Sequence, residues 1–264
     1  MKTDIDEACD FEGVELHCAT CRHSELRDTG KCSAKHACVE DRYALRIARF
    51  FEWNPELANN YLTHPYFEVR AIAARYADEV YLPWLMDDPD ETVRASVAMR
   101  LPGHLLRRLR NDPHREVRVR VAARLDADDL ALMCNDPDYF VRHIVAQRLP
   151  AAMLDRMIRD PEPQVRCIVA QRLSLIWIMT MIADKDAGVR LEVARRLPHT
   201  RLGWMRDDAD WRVRHEVARR LDPRRLRGMR HDPDPVVRDL VERRLLDLPD
   251  GGAEVVHKLL GVPA

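Results

Sequence analysis

What the chain lacks narrows the possibilities first. Its 264 residues contain no Gly-x-Ser-x-Gly, no Gly-rich phosphate loop and no His-Glu-x-x-His, and serine is scarce. The signatures of serine hydrolases, P-loop nucleotide enzymes and zincin proteases are therefore missing, and no catalytic constellation stands out. Neither charge dominates: 43 basic residues face 44 acidic ones, for a formal net charge of -1. That balance excludes the profile of a strongly basic nucleic-acid binder. A long apolar run is lacking as well. The best candidate, LIWIMTMIA at Leu175–Ala183, is interrupted by Thr180 and falls short of the ~20 residues a membrane helix needs. The amino terminus MKTDIDEACDFEGVELH is acidic without an apolar core of signal-peptide length, so a soluble cytoplasmic protein with no membrane partner is expected. Cysteine is sparse outside one stretch, since four of the seven fall within HCATCRHSELRDTGKCSAKHAC, residues 17–38. In a reducing compartment such a cluster points to metal rather than disulfides.

What is present is a repeat. Val-Arg occurs at Val69, Val93, Val117, Val141, Val165, Val189, Val213 and Val237, eight times at a spacing of 24. Other columns keep the same period: Asp88 through Asp232, usually followed by Pro; Ala98 through Ala218; Arg100 through Arg244; Leu101 through Leu245. The consensus is D-P-x-x-x-V-R-x-x-V-A-x-R-L-x-x-x-x-L-x-x-M. Asp-Pro reads as an N-cap followed by the first helical position, so a helix is expected to start there. At about 100° per residue, with Val93 as origin, Val97 falls near ~40°, Leu101 near ~80° and Ala98 near ~140°, forming one apolar face. The second half of each repeat, as in Leu82–Leu85, suits a short helix of the 3₁₀ kind. One such pair cannot bury its face alone, so neighbours must stack into a solenoid. The frame extends backwards to Leu45-Arg46, with Glu40 in the Asp column, and dissolves after Leu246 at Pro249, Gly251 and Gly252.

The Arg columns raise the question of nucleic acid, because an extended surface of guanidinium groups can track phosphates. The helical wheel argues against it. Arg94 lies near ~100°, in the seam between layers, where a buried guanidinium needs a fixed partner. The Asp column supplies one carboxylate per repeat, so bidentate Arg–Asp ladders between repeats are expected. Arg100, at the border of the apolar face, is expected to be more exposed and is the better ligand candidate. The Met column, Met133, Met157, Met181, Met205 and Met229, reads as core filler. Cys134 and Cys167 read as small buried or half-buried residues, and His143 and His215 as ordinary helix-face residues. Lys185 and Ala209 replace the usual Pro and are expected to alter two helix starts. Ser174–Met181 is unusually apolar for its phase and is expected to form an exposed patch for a partner.

Cys18 and Cys21 form a C-x-x-C, which lets two thiolates from one turn reach the same metal, and Cys32 and Cys38 can close the site from the returning chain. By count, tetrahedral zinc and a cubane iron–sulfur cluster are equally served. Cys32 and Cys38 are spaced more widely than structural zinc pairs usually are, and the pattern matches neither common ferredoxin spacing; spacing leaves both metals open. Cys9 in the acidic leader is a fifth candidate, and His17, His23 and His36 are further ones, with His36 the favoured substitute.

The 24-residue period with D-P-x-x-x-V-R-x-x-V-A-x-R-L, preceded by this cysteine segment, closely resembles the leucine-rich repeat variant proteins of nitrogen-fixing bacteria. The resemblance covers the repeats from about Tyr61 to Leu246 and the cysteine segment before them. It implies an all-α fold, a right-handed α-solenoid alternating α-helix and short 3₁₀ helix without strands, and a 4Fe-4S cluster at the amino-terminal end. Carried over by position, its ligands are Cys18, Cys21, Cys32 and Cys38. The expected organisation is a cluster segment at 1–40, a degenerate capping repeat at 41–60, eight repeats at 61–246 and a C-terminal tail at 247–264. The cluster-bound loop is expected to cover the first layer of the stack. The favoured function is a non-enzymatic scaffold whose solenoid binds a protein partner, with a structural or redox-sensing cluster. An electron-transfer protein or redox enzyme subunit, a nucleic-acid-binding solenoid, and structural zinc in place of the cluster are the alternatives.

Overall fold

The computed structural model describes residues 7–247. Among them every regular element is helical, and extended pairing is confined to two isolated bridges, Cys9 with Glu15 and Ser33 with Ala37. The chain divides into two compact units, Met1–Val145 and Ala146–Ala264, the division falling inside helix Tyr139–Arg148.

The first unit opens with the cysteine segment, which carries one short helix, Ser24–Asp28. Helix Ala44–Trp53 and the 3₁₀ helix Pro55–Tyr61 follow, and then come the repeats. Helix Phe67–Ala73 is paired with 3₁₀ helix Glu79–Leu85, and helix Glu91–Ala98 with Gly103–Leu106 and its 3₁₀ extension Arg107–Asn111. Helix Arg115–Ala122 is paired with a single α-helical turn and a half, Ala127–Ala131. The second unit repeats the scheme with helices Pro163–Arg172, Ala187–Arg196, Trp211–Arg220 and Pro235–Leu246. Its connectors are Ala151–Met157, Leu175–Ile178 with Met179–Met181, His199–Leu202 with Gly203–Met205, and Pro223–Met229. The alternation of α and 3₁₀ helix at a 24-residue period is thus present in both units. The columns that define the period make the core: Val93, Val97, Ala98 and Leu101 are fully buried, as are Val189, Val193, Ala194 and Leu197. All five Met-column residues are buried, as are Leu82 and Leu106 from the connectors. Cys134 is buried and Cys167 half-buried.

The expected ladder is there, and its geometry is uniform. Arg70 donates Nε and Nη2 to the two carboxylate oxygens of Asp88 at 2.8 and 2.9 Å. Arg94 does the same to Asp112 at 2.8 and 3.0 Å, and Arg118 to Asp136 at 2.8 and 3.1 Å. In the second unit the rungs are Arg166–Asp184, Arg190–Asp208 and Arg214–Asp232. The remaining guanidinium nitrogen turns back to the repeat's own loop: Arg94 Nη1 donates to the carbonyls of Asp88 at 2.7 Å and Pro89 at 3.1 Å. Each planar fork is therefore saturated on both sides, which is what allows a guanidinium to be held in the seam between layers.

This geometry corrects the reading of the Asp-Pro pair. Helices begin at Glu91, Arg115, Tyr139, Pro163, Ala187, Trp211 and Pro235, three residues after the Asp column. Asp88 is not an N-cap, because its carboxylate is occupied by Arg70 and by the backbone N–H of Asp90 at 2.9 Å, an Asx turn leading into the helix. The cap proper is Asp90, which accepts from Thr92 N, and the same role falls to Asp186, Asp210 and Asp234. Proline therefore lies outside the helix. For that reason Lys185 and Ala209 leave the helix starts at Ala187 and Trp211 in register, contrary to expectation; Arg190 simply donates to the Lys185 carbonyl instead, at 3.3 Å.

The second Arg column also departs from expectation. Arg100 is half-buried, and its Nη1 donates to the carbonyls of Ala74 and Ala77 at 3.0 and 2.5 Å, the C-terminal end of the preceding repeat's helix. Arg124 reaches Ala98, Arg196 reaches Ala170 and Arg244 reaches Ala218 in the same way. A cation over the last carbonyls of a helix satisfies acceptors that have no partner within it. Both conspicuous Arg columns are thus spent inside the stack, which removes the observation that had pointed to nucleic acid. The expected C-terminal tail lies outside the described residues apart from Asp247.

Breaking one rung is expected to destabilise the chain by about 3 kcal/mol, because Asp112→Ala strands a guanidinium in the seam. In urea denaturation Arg94→Met with Asp112→Leu should cost less than the sum of the single changes, giving a clear coupling energy. Burial is the largest single influence on Asp88, Asp184 and Asp232 and opposes their charged forms, but the arginine hydrogen bonds, the backbone N–H two residues on and the neighbouring positive charges together outweigh it and lower all three pKa values. The stability they contribute is complete above the unfolded carboxylate value and lost as pH falls through the lower folded values. The urea midpoint should be level from about pH 6 to pH 5 and fall below about pH 4.

Candidate metal centre

The cysteine segment folds through two turns that bring distant thiols to one place. Cys18 and Cys21 flank a turn in which Thr20 N donates to His17 O, and Ser24 N donates back to Cys21 O as the helix Ser24–Asp28 begins. The five residues between Cys32 and Cys38 form a miniature hairpin. Ser33 and Ala37 exchange both backbone hydrogen bonds at 2.8 Å, and Lys35 takes the left-handed conformation, φ 64°, needed to reverse the chain. Cys32 and Cys38 flank that closing pair, and both line the same cavity. This accounts for the wide spacing that had seemed unlike a metal pair: the loop between them is closed on itself.

Cys18, Cys21, Cys32 and Cys38 all line one cavity of about 440 Å³, together with His17, Arg22, His23, Arg27 and Glu40. Among the described residues no three His, Cys, Asp or Glu side chains converge as ligands of a single ion. One sulfur meets a backbone donor two residues on: His23 N lies 3.4 Å from Cys21 Sγ. The neighbouring Cys32 thiol, and then burial, push the Cys38 thiol up. Four thiols around such a cavity, with an amide hydrogen at one sulfur and two guanidinium groups in the wall, suit an anionic iron–sulfur cluster.

Of the other candidates, Cys9 and His36 lie outside the cavity. Cys9 is paired through its backbone with Glu15 and does not line the cavity. His36 faces Arg49 at 3.2 Å and Trp53, away from the thiols. His17 and His23 do line the cavity, but His23 Nε2 is engaged by the Tyr61 hydroxyl.

The wall is bound to the first helical layer. Arg22 donates to Glu40 at 2.8 Å while lying over the Tyr61 ring, and His64 approaches the other Glu40 oxygen at 3.4 Å. The His64 hydrogen bond, opposed by burial and reinforced by Arg22, holds the Glu40 carboxyl at about 2. Burial, ahead of the neighbouring charges, pushes Tyr61 above its ordinary range. Asn54, fully buried at the end of helix Ala44–Trp53, donates to Lys31 O and Phe50 O at 2.8 Å each, tying the segment to that helix end. Sequence reasoning missed Arg22, Tyr61, Asn54 and His64. One signal was available: the Arg22–Glu40 separation of 18 residues is that of every ladder rung, and the 24-residue frame carried back from Leu45-Arg46 places Cys21-Arg22 in the Val-Arg column.

Comparison with known proteins agrees with this geometry. The profile described as LRV protein FeS4 cluster matches residues 8–60, and the leucine rich repeat variant profile matches residues 139–162 and 211–234. A solved structure described as a leucine-rich repeat variant with a novel repetitive protein structural motif superposes with a TM-score of 0.83 at 41% identity, over 87% of this chain and 98% of that one. The chain belongs to the leucine-rich repeat variant family. It is an iron–sulfur cluster-binding member, the cluster domain residing in the amino-terminal cysteine segment. A curated relative, an uncharacterized 27.7 kDa protein in the nifB 3' region of Rhodobacter capsulatus, is 48% identical over 96 residues, 36% of this leucine-rich repeat variant chain and 39% of the relative. Among the described residues no helix is long and apolar enough to cross a membrane.

Glu40→Gln weakens the link from Arg22 and His64 while keeping the side chain's shape. Hydrogen exchange in residues 22–40 should accelerate several-fold, with the amides of helix Glu91–Ala98 unchanged; unaltered exchange in the segment would show that something else holds it to the first layer.

Proposed function

We propose that Cys18, Cys21, Cys32 and Cys38 are the four ligands of the cluster, and that the protein is a non-enzymatic scaffold whose repeats bind a protein partner. The observation that carries the assignment is that these four thiols, and not Cys9, face one cavity. A second feature supports a structural role. The buried hydrophobic residues of the described segment up to Val39 are Cys32, Ala37, Cys38 and Val39, without a single Leu, Ile or Phe. A loop with so little core depends on its metal for folding free energy. When bound, a 4Fe-4S cluster supplies one-electron redox chemistry through iron held by thiolates. The chain's own residues do the rest. The amide of His23 donates to the Cys21 sulfur, the His23–Tyr61 hydrogen bond fixes the wall, and Arg22, Glu40 and His64 fasten it to the first layer. In this reading the state of the cluster is transmitted to the first repeats through those contacts, where a bound partner can sense it.

Anaerobic purification with iron, sulfide and zinc analysis tests the ligand set. About four irons and four sulfides per chain with broad visible absorption are expected, lost on changing any of the four cysteines to Ala and retained in Cys9→Ala. One zinc without colour, or loss of iron in Cys9→Ala, would overturn it. Limited proteolysis of the cluster-free chain should cut first within residues 17–43, ahead of the repeats.

A further inference from the structure

The ladder accounts for the arginines inside the stack, but not for those on the connectors of the second unit. Arg201, Arg224, Arg225 and Arg227 are all exposed, and none pairs with a carboxylate among the described residues. Within Thr200–Arg206 and Pro223–Arg230 there are six arginines and no acidic residue. These two connectors are adjacent in the stack, and their side chains interleave. A Cβ added at Gly203 would come within 2.8 Å of Arg225 Nη2, and one at Gly228 within 3.9 Å of Arg206 Nη1. Glycine at 203 thus lets a guanidinium from the next repeat lie across the backbone of this one.

The arrangement is particular to these repeats. In the other unit Arg107 and Arg108 occupy the same kind of connector, but the connectors before and after it carry Glu79, and Asp128 and Asp129, within their helices, where the basic connectors have only a flanking Asp222. There the charges of successive repeats alternate; here they add. Large apolar groups border the basic connectors. Trp204 is 69% exposed, and the preceding connector presents Ile176 at 79%, Leu175 at 51% and Trp177 at 45%. Ile176 and Trp177 precede Thr200 and Arg201, and these precede Arg224 and Arg225, by one period each. The residues therefore lie along one edge of the stack, apolar at the earlier repeat and cationic at the later two.

We infer that this connector edge, from Leu175 to Arg227, is a docking surface for an acidic polypeptide segment that also carries aliphatic or aromatic side chains. The inference rests on the scaffold reading and names its partner's chemistry. Carboxylates of the partner match four guanidinium groups that pair with no carboxylate among the described residues, the pairing for which a planar fork is suited. Exposed Trp and Arg together are the residues that dominate protein interfaces. Single-stranded nucleic acid would also be drawn to Arg and Trp, but it uses flat stacking platforms. Trp177 and Trp204 supply two, but Leu175 and Ile176 beside them give a base nothing to stack on, and their branched side chains fit apolar residues of a protein.

The test uses the full cluster-loaded chain and a fluorescent peptide of alternating glutamate and leucine, with oligoglutamate and oligothymidylate of equal length for comparison. The Glu-Leu peptide should bind tightest, with affinity falling as salt rises. The combined change Arg201→Gln, Arg225→Gln, Arg227→Gln should weaken it by about tenfold or more and flatten the salt dependence. Trp204→Ala should weaken it by about tenfold with the salt dependence kept. Arg107→Gln with Arg108→Gln should leave it unchanged. Wild-type affinity in the edge variants, or no peptide binding at low salt, would overturn the inference. So would tighter binding of oligothymidylate, which assigns the edge to nucleic acid, or self-association of the chain abolished by the same changes, which assigns it to a second copy. The ligand set is read from metal content and the edge from these titrations, so either can fail alone.

Discussion

The bidentate Arg–Asp rung is the constraint on which the repeats depend. Its arginine is committed on both sides, to the next repeat's carboxylate and to the loop carbonyls of its own, so one side chain fixes the distance between layers and the path of the loop within a layer. A planar fork tolerates little displacement before one of its bonds is lost. That explains why the period holds at 24 residues through eight Val-Arg pairs: an inserted residue would pull the Asp away from the preceding guanidinium and leave two charges in the seam. It also explains why the proline column is dispensable at Lys185 and Ala209. The turn before each helix is set by the Asp side chain and by the arginine beneath it, and proline only stiffens a path already chosen.

The same device reaches into the cluster domain. Arg22 and Glu40 stand 18 residues apart as every rung does, although neither belongs to a regular repeat. His64 occupies the position where the column would have its Asp, and Arg46 pairs with the buried Asp41 at 2.9 Å and with the Glu7 carbonyl. The cysteine segment is thus docked onto the first layer by a rearranged version of the interaction that joins the later ones. Polar contacts and a few ring contacts dock the segment but leave it with little core of its own, and the thiolate–metal bonds supply what burial does not. Fold and cofactor are in this way two parts of one arrangement at the amino-terminal end.

Much of this was legible in the residues. The period, the apolar face of each helix, the buried Met column and the Arg–Asp pairing follow from spacing and the helical wheel, and the structure has them. The departures have common physical causes. Asp-Pro resembles a helix start, but a carboxylate has limited acceptor capacity, and Asp88 had already been claimed by Arg70; the cap shifted to Asp90. A wheel projects where a Cβ points, whereas Arg100 is long enough to bend back to the carbonyls of Ala74 and Ala77. In the cluster segment the thiols were visible from the spacing, yet the wall was not, because Tyr61 stands 38 residues from His23. Only the rung offset, carried backwards past the last clear repeat, held a trace of it.

A stack stabilised through two inward-facing arginine columns leaves its connectors free. Between the last buried Leu of one helix and the Asp of the next turn, the sequence must provide little more than two or three apolar anchors, such as Leu202 and Met205 or Leu226 and Met229. Everything else there can change without touching a rung. The connectors accordingly range from ADDLA to LIWI to PRRLRG while the helix starts stay in register. Charge and aromatic content accumulate in these segments because the ladder makes them energetically independent of the fold. A chain near electrical neutrality as a whole can then present a locally cationic edge in one pair of repeats and an acidic connector in another, which is how a uniform repeat acquires a specific surface.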